Sequence, residues 1–313
     1  MIFEKSTVTL FASAAQVAYQ GLTEVTDWGS KEKLTIDSFP DNHADTQGFT
    51  AASESSVLLV FRGTESKNIR DWMTDARAGR VPSLAGGTVH QGFSQALDAV
   101  WNHIQQTLAK HPGKPLVITG HSLGGGLAVL AASRLPGVPL SLYTFGQPRV
   151  GNEEFAKACE SQFGANYFRI VNDKDIVPRV PPFTSGYRHF GQEIGIDSNG
   201  QVREVDFGVE TSEDAIRLAV GSSVVVPKAV NSFIPQILEL VDSVARGKNS
   251  KDAVIASIGG LLAFLQLFPG GGIPQFIRSL KDRTAALAAI QQNPGAFEPI
   301  ADHDMSLYRA GLQ

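Results

Sequence analysis

Cysteine is nearly absent from this chain, with Cys159 alone among 313 residues. No intrachain disulfide can form, so the fold must rest on packing and hydrogen bonds. That leans towards a reducing compartment, or towards a secreted protein that manages without such links. Cys159 has no partner residue nearby in the mixed stretch 155–160 and is expected to be a structural thiol. An excess of charge is lacking as well. Lys and Arg number 27 against 31 Asp and Glu, a formal charge of −4. This argues against nucleic acid as the main partner, which would want a basic face. Residues 1–6 have neither the basic n-region nor the continuous apolar core of a secretory signal. The expectation is a cytoplasmic protein, or one secreted by a route without a cleaved N-terminal signal.

Long uninterrupted apolar runs are missing too. Residues 253–277 hold no charged side chain, but Gly259-Gly260 and Pro269-Gly270-Gly271-Gly272 divide them. The longest helical piece falls short of the roughly 20 residues that a membrane span needs. A buried or lipid-facing helical insert is expected there instead. No cluster has metal-ligand spacing, so neither metal nor organic cofactor is expected. No internal repeat stands out. A composition of 42% hydrophobic and 19% charged residues is that of a globular protein. The length allows one large α/β domain or two smaller ones, with ample core.

Against these absences stands one dense signal. Leu116-Val117-Ile118-Thr119 is an apolar run that breaks at Gly120-His121-Ser122-Leu123-Gly124, and small or apolar residues continue to Leu135. Gly-x-Ser-x-Gly between a strand and a helix has the form of a nucleophile elbow. There the serine sits exposed on a strained turn at a helix N-terminus. The alternative is an ordinary glycine-rich turn that happens to contain a serine.

Either side of this point, strands and helices alternate. Strands are expected over 56–61, 140–145 and 166–171. A hairpin joins 191–196 to 201–207 through Asn199-Gly200, a favourable turn pair. Helices are expected over 1–22, 93–110 and 153–163, while 23–50 read as polar and turn-rich. The pattern predicts an α/β fold whose mostly parallel central sheet is flanked by helices, with some antiparallel content from the hairpin. Residues 1–208 and 291–313 form the core of this reading. Residues 209–290 form an apolar helical insert before the C-terminal histidine.

A serine hydroxyl needs a base to take its proton and a third group to orient that base. Asp173 and Asp175 lie just past the strand ending at Val171. His189 and His303 are the only histidines after Ser122. The amide of Leu123, the residue after the serine, is a candidate oxyanion donor.

Six blocks in order resemble the class 3, fungal-type triacylglycerol lipase family. They are Phe61-Arg62-Gly63-Thr64, Val89-His90-Gln91-Gly92-Phe93, Gly120-His121-Ser122-Leu123-Gly124-Gly125, Gly146-Gln147-Pro148-Arg149-Val150-Gly151-Asn152, Asn172-Asp173-Lys174-Asp175-Ile176-Val177-Pro178 and His303-Asp304-Met305-Ser306-Leu307-Tyr308. They cover residues 1 to about 195 and the C-terminus. The resemblance implies an α/β-hydrolase fold and a serine ester hydrolase acting on lipid at an oil–water interface. It places the nucleophile on Ser122, the acid on Asp175 and the base on His303, leaving His189 as a structural or pocket residue. It also supplies Thr64 as the second oxyanion donor, with Asp75 fixing that loop from behind. His121 fills the elbow's variable position and is expected to pack under the nucleophile. Residues 66–75 stand where the family has a lid, with Ile69, Trp72 and Met73 at helical spacing; a permanently packed surface helix is the alternative. The insert departs from the family. It implies a lipid-contacting surface with peripheral membrane contact, unless its helices pack behind the sheet or join two copies. Small soluble esters or phospholipids are alternative substrates, and a non-catalytic lipid-binding protein is the reading outside enzymes.

Overall fold

A computed structural model of the chain describes residues 5–39, 46–63, 79–138, 140–172, 175, 177–181, 183–197, 201–205, 208–211 and 303–312. Their centre is an eight-stranded sheet. In chain order its strands are β1 (Thr35–Phe39), β2 (Gly48–Ala52), β3 (Val57–Phe61), β6 (Leu116–His121), β7 (Leu140–Phe145), β9 (Tyr167–Asn172), β11 (Gln192–Ile196) and β12 (Val202–Val205), adjacent in that sequence. Pairing is parallel from β3 through β6, β7 and β9 to β11, and antiparallel at both margins. A second, antiparallel sheet joins β4 (Arg80–Pro82), β5 (Thr88–His90), β8 (Gly151–Asn152) and β10 (Tyr187–Arg188).

The apolar run of β3 is buried at every position because both faces of the sheet are covered. Val57, Leu59 and Phe61 point to one core with α3 (Gln91–Ala109), α4 (Leu123–Ser133) and α5 (Glu153–Phe163). Leu58 and Val60 point to the other, where α1 (Lys5–Val17), α2 (Leu22–Lys31) and α6 (Met305–Leu312) pack. The period of two along a strand makes the same apolar run serve both layers. In α4, Gly124 to Ser133 are all buried, which explains an apolar helix with no polar face. Cys159 is buried and free, and burial pushes its thiol up to about 12.

The polar region 23–50 is more ordered than its sequence suggests. Most of α2, β1 and β2 lies within it. The stripe of α2 is narrow, burying Val25 and Gly29. β1 lies at the sheet's margin with only Phe39 buried. An edge strand held by ladder bonds on one side needs little apolar content, so the periodicity was too weak to read. The helix expected over 1–22 is shorter, and the chain turns before Leu22 to start α2. At the hairpin, the Asp197 amide donates to the Gln201 carbonyl at 3.0 Å, with Asn199-Gly200 outside the described residues. Of the insert 209–290, only residues 209–211 are described. No described helix is long and apolar enough to cross a membrane.

Candidate active site

Ser122 joins β6 to α4 with φ 59° and ψ −129°, a left-handed conformation for a residue with a side chain. Such a backbone costs about 1–3 kcal/mol and persists only where its surroundings impose it. Here they do. The Ser122 amide donates to the Phe145 carbonyl at 2.9 Å, and its carbonyl accepts from the Gly125 amide at 2.9 Å. The turn also brings backbone onto backbone. A Cβ on Gly120 would lie 2.4 Å from the Gly124 carbonyl carbon, and one on Gly124 would lie 2.4 Å from the Phe61 oxygen. Leu123 opens α4, so its amide belongs to the first turn of donors that a helix leaves without internal partners.

Asp175 is completely buried and fully coordinated. Its Oδ2 accepts from His303 Nδ1 at 2.6 Å and from the Tyr308 hydroxyl, while Oδ1 accepts from the Val177 amide at 2.8 Å. Asp304 receives the Ser306 amide at 2.7 Å and so caps the start of α6. His303 is thereby delivered at the helix entrance, and Tyr308, just over one turn on, reaches the same carboxylate oxygen. The Tyr308 hydroxyl also accepts from the Asn172 amide at 3.3 Å. Burial and the neighbouring Asp175 charge push this phenol well above its ordinary range, so it stays a donor. His303 Nε2 is buried and has no hydrogen-bond partner among the described residues. Nδ1 held by a carboxylate and Nε2 left open is the arrangement of a base awaiting a proton.

Gly146 ties Ser122 to His303. It follows Phe145, whose carbonyl holds the Ser122 amide, and its φ of 57° suits glycine. A Cβ there would fall 2.6 Å from Asp175 Oδ2 and 2.8 Å from His303 Nδ1. The ends of β6, β7 and β9 thus converge on one point, with α6 closing from the other layer.

His189 stands elsewhere. Its ring is buried with Nε2 at 2.7 Å from the Pro178 carbonyl, and its amide donates to Glu210 at 2.8 Å. His121 lies beside His303, with ring centroids 4.3 Å apart. Thr64, Asp75, Asp173, Ile69, Trp72 and Met73 lie outside the described residues. Gly63, immediately before Thr64, sits against Ser122: a Cβ on it would be 3.1 Å from Ser122 Cβ. Sequence reasoning missed two tyrosines. Tyr308 was visible only as the end of a motif, and Tyr19, whose hydroxyl meets His121 Nδ1 at 2.7 Å, carried no signal. Among the described residues, no group of three or more His, Cys, Asp or Glu could hold a metal ion.

Behind Asp175, Arg149 binds the turn that follows it. Its backbone amide donates to the Val180 carbonyl at 2.8 Å, and Nη1 to the Arg179 and Pro181 carbonyls at 2.5 and 3.0 Å. Nε and Nη2 form a buried two-point pair with Glu210 at 2.8 and 2.7 Å. Burial alone would raise the Glu210 pKa, but the Arg149 charge and hydrogen bonds hold it below the ordinary value.

A family model described as Lipase (class 3) matches residues 58–185. The solved structure of Rhizomucor miehei triacylglyceride lipase is 31% identical, covering 66% of this chain and 86% of that one, with a TM-score of 0.59. Among curated relatives, a secreted mono- and diacylglycerol lipase of Fusarium solani is 39% identical over 47% of this chain and 46% of its own length. The Rhizomucor miehei lipase is 38% identical over 54% of this chain and 50% of its own. The chain therefore spans about half the length of the curated relatives it matches. Its mostly parallel sheet between helix layers is the α/β-hydrolase fold. The chain belongs to the class 3 lipase family.

Proposed function

We propose that the protein is a serine carboxylic-ester hydrolase acting on acylglycerols, with Ser122 as nucleophile, His303 as base and Asp175 as orienting acid. The observation that carries this is the buried Asp175–His303 pair beside a serine on a strained strand-to-helix turn. Ser122 Oγ attacks the ester carbonyl carbon as its proton passes to His303 Nε2. The tetrahedral intermediate collapses, and the departing alcohol takes that proton. Water, deprotonated by His303, then attacks the acyl-enzyme and releases a carboxylic acid and free Ser122. Asp175 keeps the proton of the resting imidazole on Nδ1 and stabilises the imidazolium. The Leu123 amide is one oxyanion donor, and Thr64, through its amide and hydroxyl, is the second. Asp75 steadies that loop, and 66–75 form a lid whose Ile69, Trp72 and Met73 meet lipid.

The acylglycerol class is supported by the names of relatives, which include both a triacylglyceride lipase and mono- and diacylglycerol lipases. The test is hydrolysis of tri-, di- and monoacylglycerol emulsions, with phospholipid, short soluble esters and a 4-nitrophenyl ester alongside. Ser122→Ala should lower kcat at least ~10⁴-fold on every hydrolysed substrate, since removing a nucleophile disables the whole triad. Unchanged turnover in that variant overturns the mechanism. Preference for phospholipid or soluble esters overturns the substrate class.

A further inference from the structure

Beside the Asp175–His303 pair stands a second buried imidazole to which the reaction above assigns no step. The rings of His121 and His303 are 4.3 Å apart between centroids, with planes 30° from parallel, so the two lie face to face. His121 Nδ1 is 2.7 Å from the Tyr19 hydroxyl, just beyond α1, and its Nε2 has no hydrogen-bond partner among the described residues. The groups facing it come from two directions. Tyr19 approaches from the N-terminal layer, with the Arg62 guanidinium 5.8 Å over the Tyr19 ring. His303 and Tyr308 approach from the C-terminal segment, the Tyr308 ring edge-on at 5.8 Å. Asp175 lies beyond them, committed to His303, Tyr308 and Val177.

The two histidines therefore differ in one decisive respect. His303 has a carboxylate; His121, among the described residues, pairs with none. Burial first, and then the neighbouring His303, push the His121 pKa well below its ordinary value. The His303 carbonyl pulls the other way without closing a regular hydrogen bond. His121 is thus a neutral aromatic face laid against a ring that gains positive charge when it takes the serine proton. A cation over an aromatic face is stabilised, whereas a second charge there would oppose the transfer.

We infer that His121 is a positioning residue for His303: held by Tyr19, it fixes the plane of the base and offers a neutral ring to the imidazolium formed during attack. The inference rests on the serine-hydrolase reading. Two variants separate the ring from the hydrogen bond. His121→Gln keeps a partner for the Tyr19 hydroxyl but has no ring. Tyr19→Phe with His121→Phe keeps a ring face and has no hydrogen bond. The measurements are kcat and KM on a 4-nitrophenyl ester in each folded chain.

With His121→Gln, kcat should fall about tenfold while KM stays within about twofold, the scale of one desolvated cation–aromatic contact. The double phenylalanine chain keeps the ring face but loses the Tyr19 hold, so it should fall less, about threefold in kcat. Unaltered kcat in His121→Gln, or a double phenylalanine chain as impaired as the glutamine one, overturns the inference. A Ser122→Ala chain that still hydrolyses the ester overturns the underlying reading instead, so the two failures are distinguishable.

Discussion

Ser122 is held at φ 59° by bonds from both sides, and the space that lets its partners approach is made by residues that lack a side chain. Gly146 shows how narrow that space is. Alanine there would need a left-handed backbone and would set its Cβ inside van der Waals contact with both Asp175 and His303. Gly146→Ala should cost about 1–3 kcal/mol of stability from the backbone. Its effect on turnover should be larger, about a hundredfold in kcat, because a displacement near 1 Å at a reacting pair is that damaging. Urea unfolding and ester kinetics on the same preparation measure both. A chain that loses stability in proportion but keeps its kcat would show that the pair tolerates displacement.

At the scale of elements, Asp175 is placed by more than the strand that precedes it. β9 ends at Asn172, and the described residues from Asp175 to Pro181 join no strand ladder. The carbonyls of residues 178–181 are bound instead by His189 and Arg149, which Glu210 balances. Arg149 sits in the Gly-Gln-Pro-Arg block after β7, so this contact spans neighbouring strand ends. Removing one partner of a buried pair leaves an uncompensated charge, which costs about 3–5 kcal/mol. Glu210→Ala should lower the urea midpoint by that equivalent, and Arg149→Met combined with Glu210→Leu should recover little of it, because the Arg179 and Pro181 carbonyls then lose their donor. A loss within 1 kcal/mol, on the order of an exposed pair, would mean that the turn is held by other contacts.

For the molecule as a whole, buried neutral histidines set the behaviour in weak acid. His121 is held below its ordinary pKa by burial and His303, and His189 by burial, Arg169 and Arg149. Both bind protons more readily in the unfolded chain, so stability rises with pH across this range. Their contribution is complete above the unfolded value near 6.5 and is lost as pH falls from there towards the folded values. Each ring contributes a slope of about 1.4 kcal/mol per pH unit inside that window. Urea midpoints between pH 8 and 5 should fall accordingly, and His189→Gln should flatten the slope. A flat profile in the parent chain would contradict the neutral, buried state of both rings.

The sequence by itself determined what depends on local patterning. Apolar runs of strand length specified the doubly covered strands, since a buried sheet demands hydrophobic side chains on both faces. Gly-x-Ser-x-Gly specified a turn between strand and helix, because few other residues fit backbones that close. The order of Ser122, Asp175 and His303 was legible too, though only family likeness chose Asp175 over Asp173 and His303 over His189. Tertiary structure alone decided the rest. The antiparallel margin from β1 and β2 arises from ladder bonds to β3, which leave no periodic trace in polar residues. Asp175 and His303 meet across 128 residues, and Tyr19 reaches His121 across 102. No local rule reports such distances. What the serine faces is therefore a property of the folded layers: a carboxylate on one side of His303 and a neutral ring on the other.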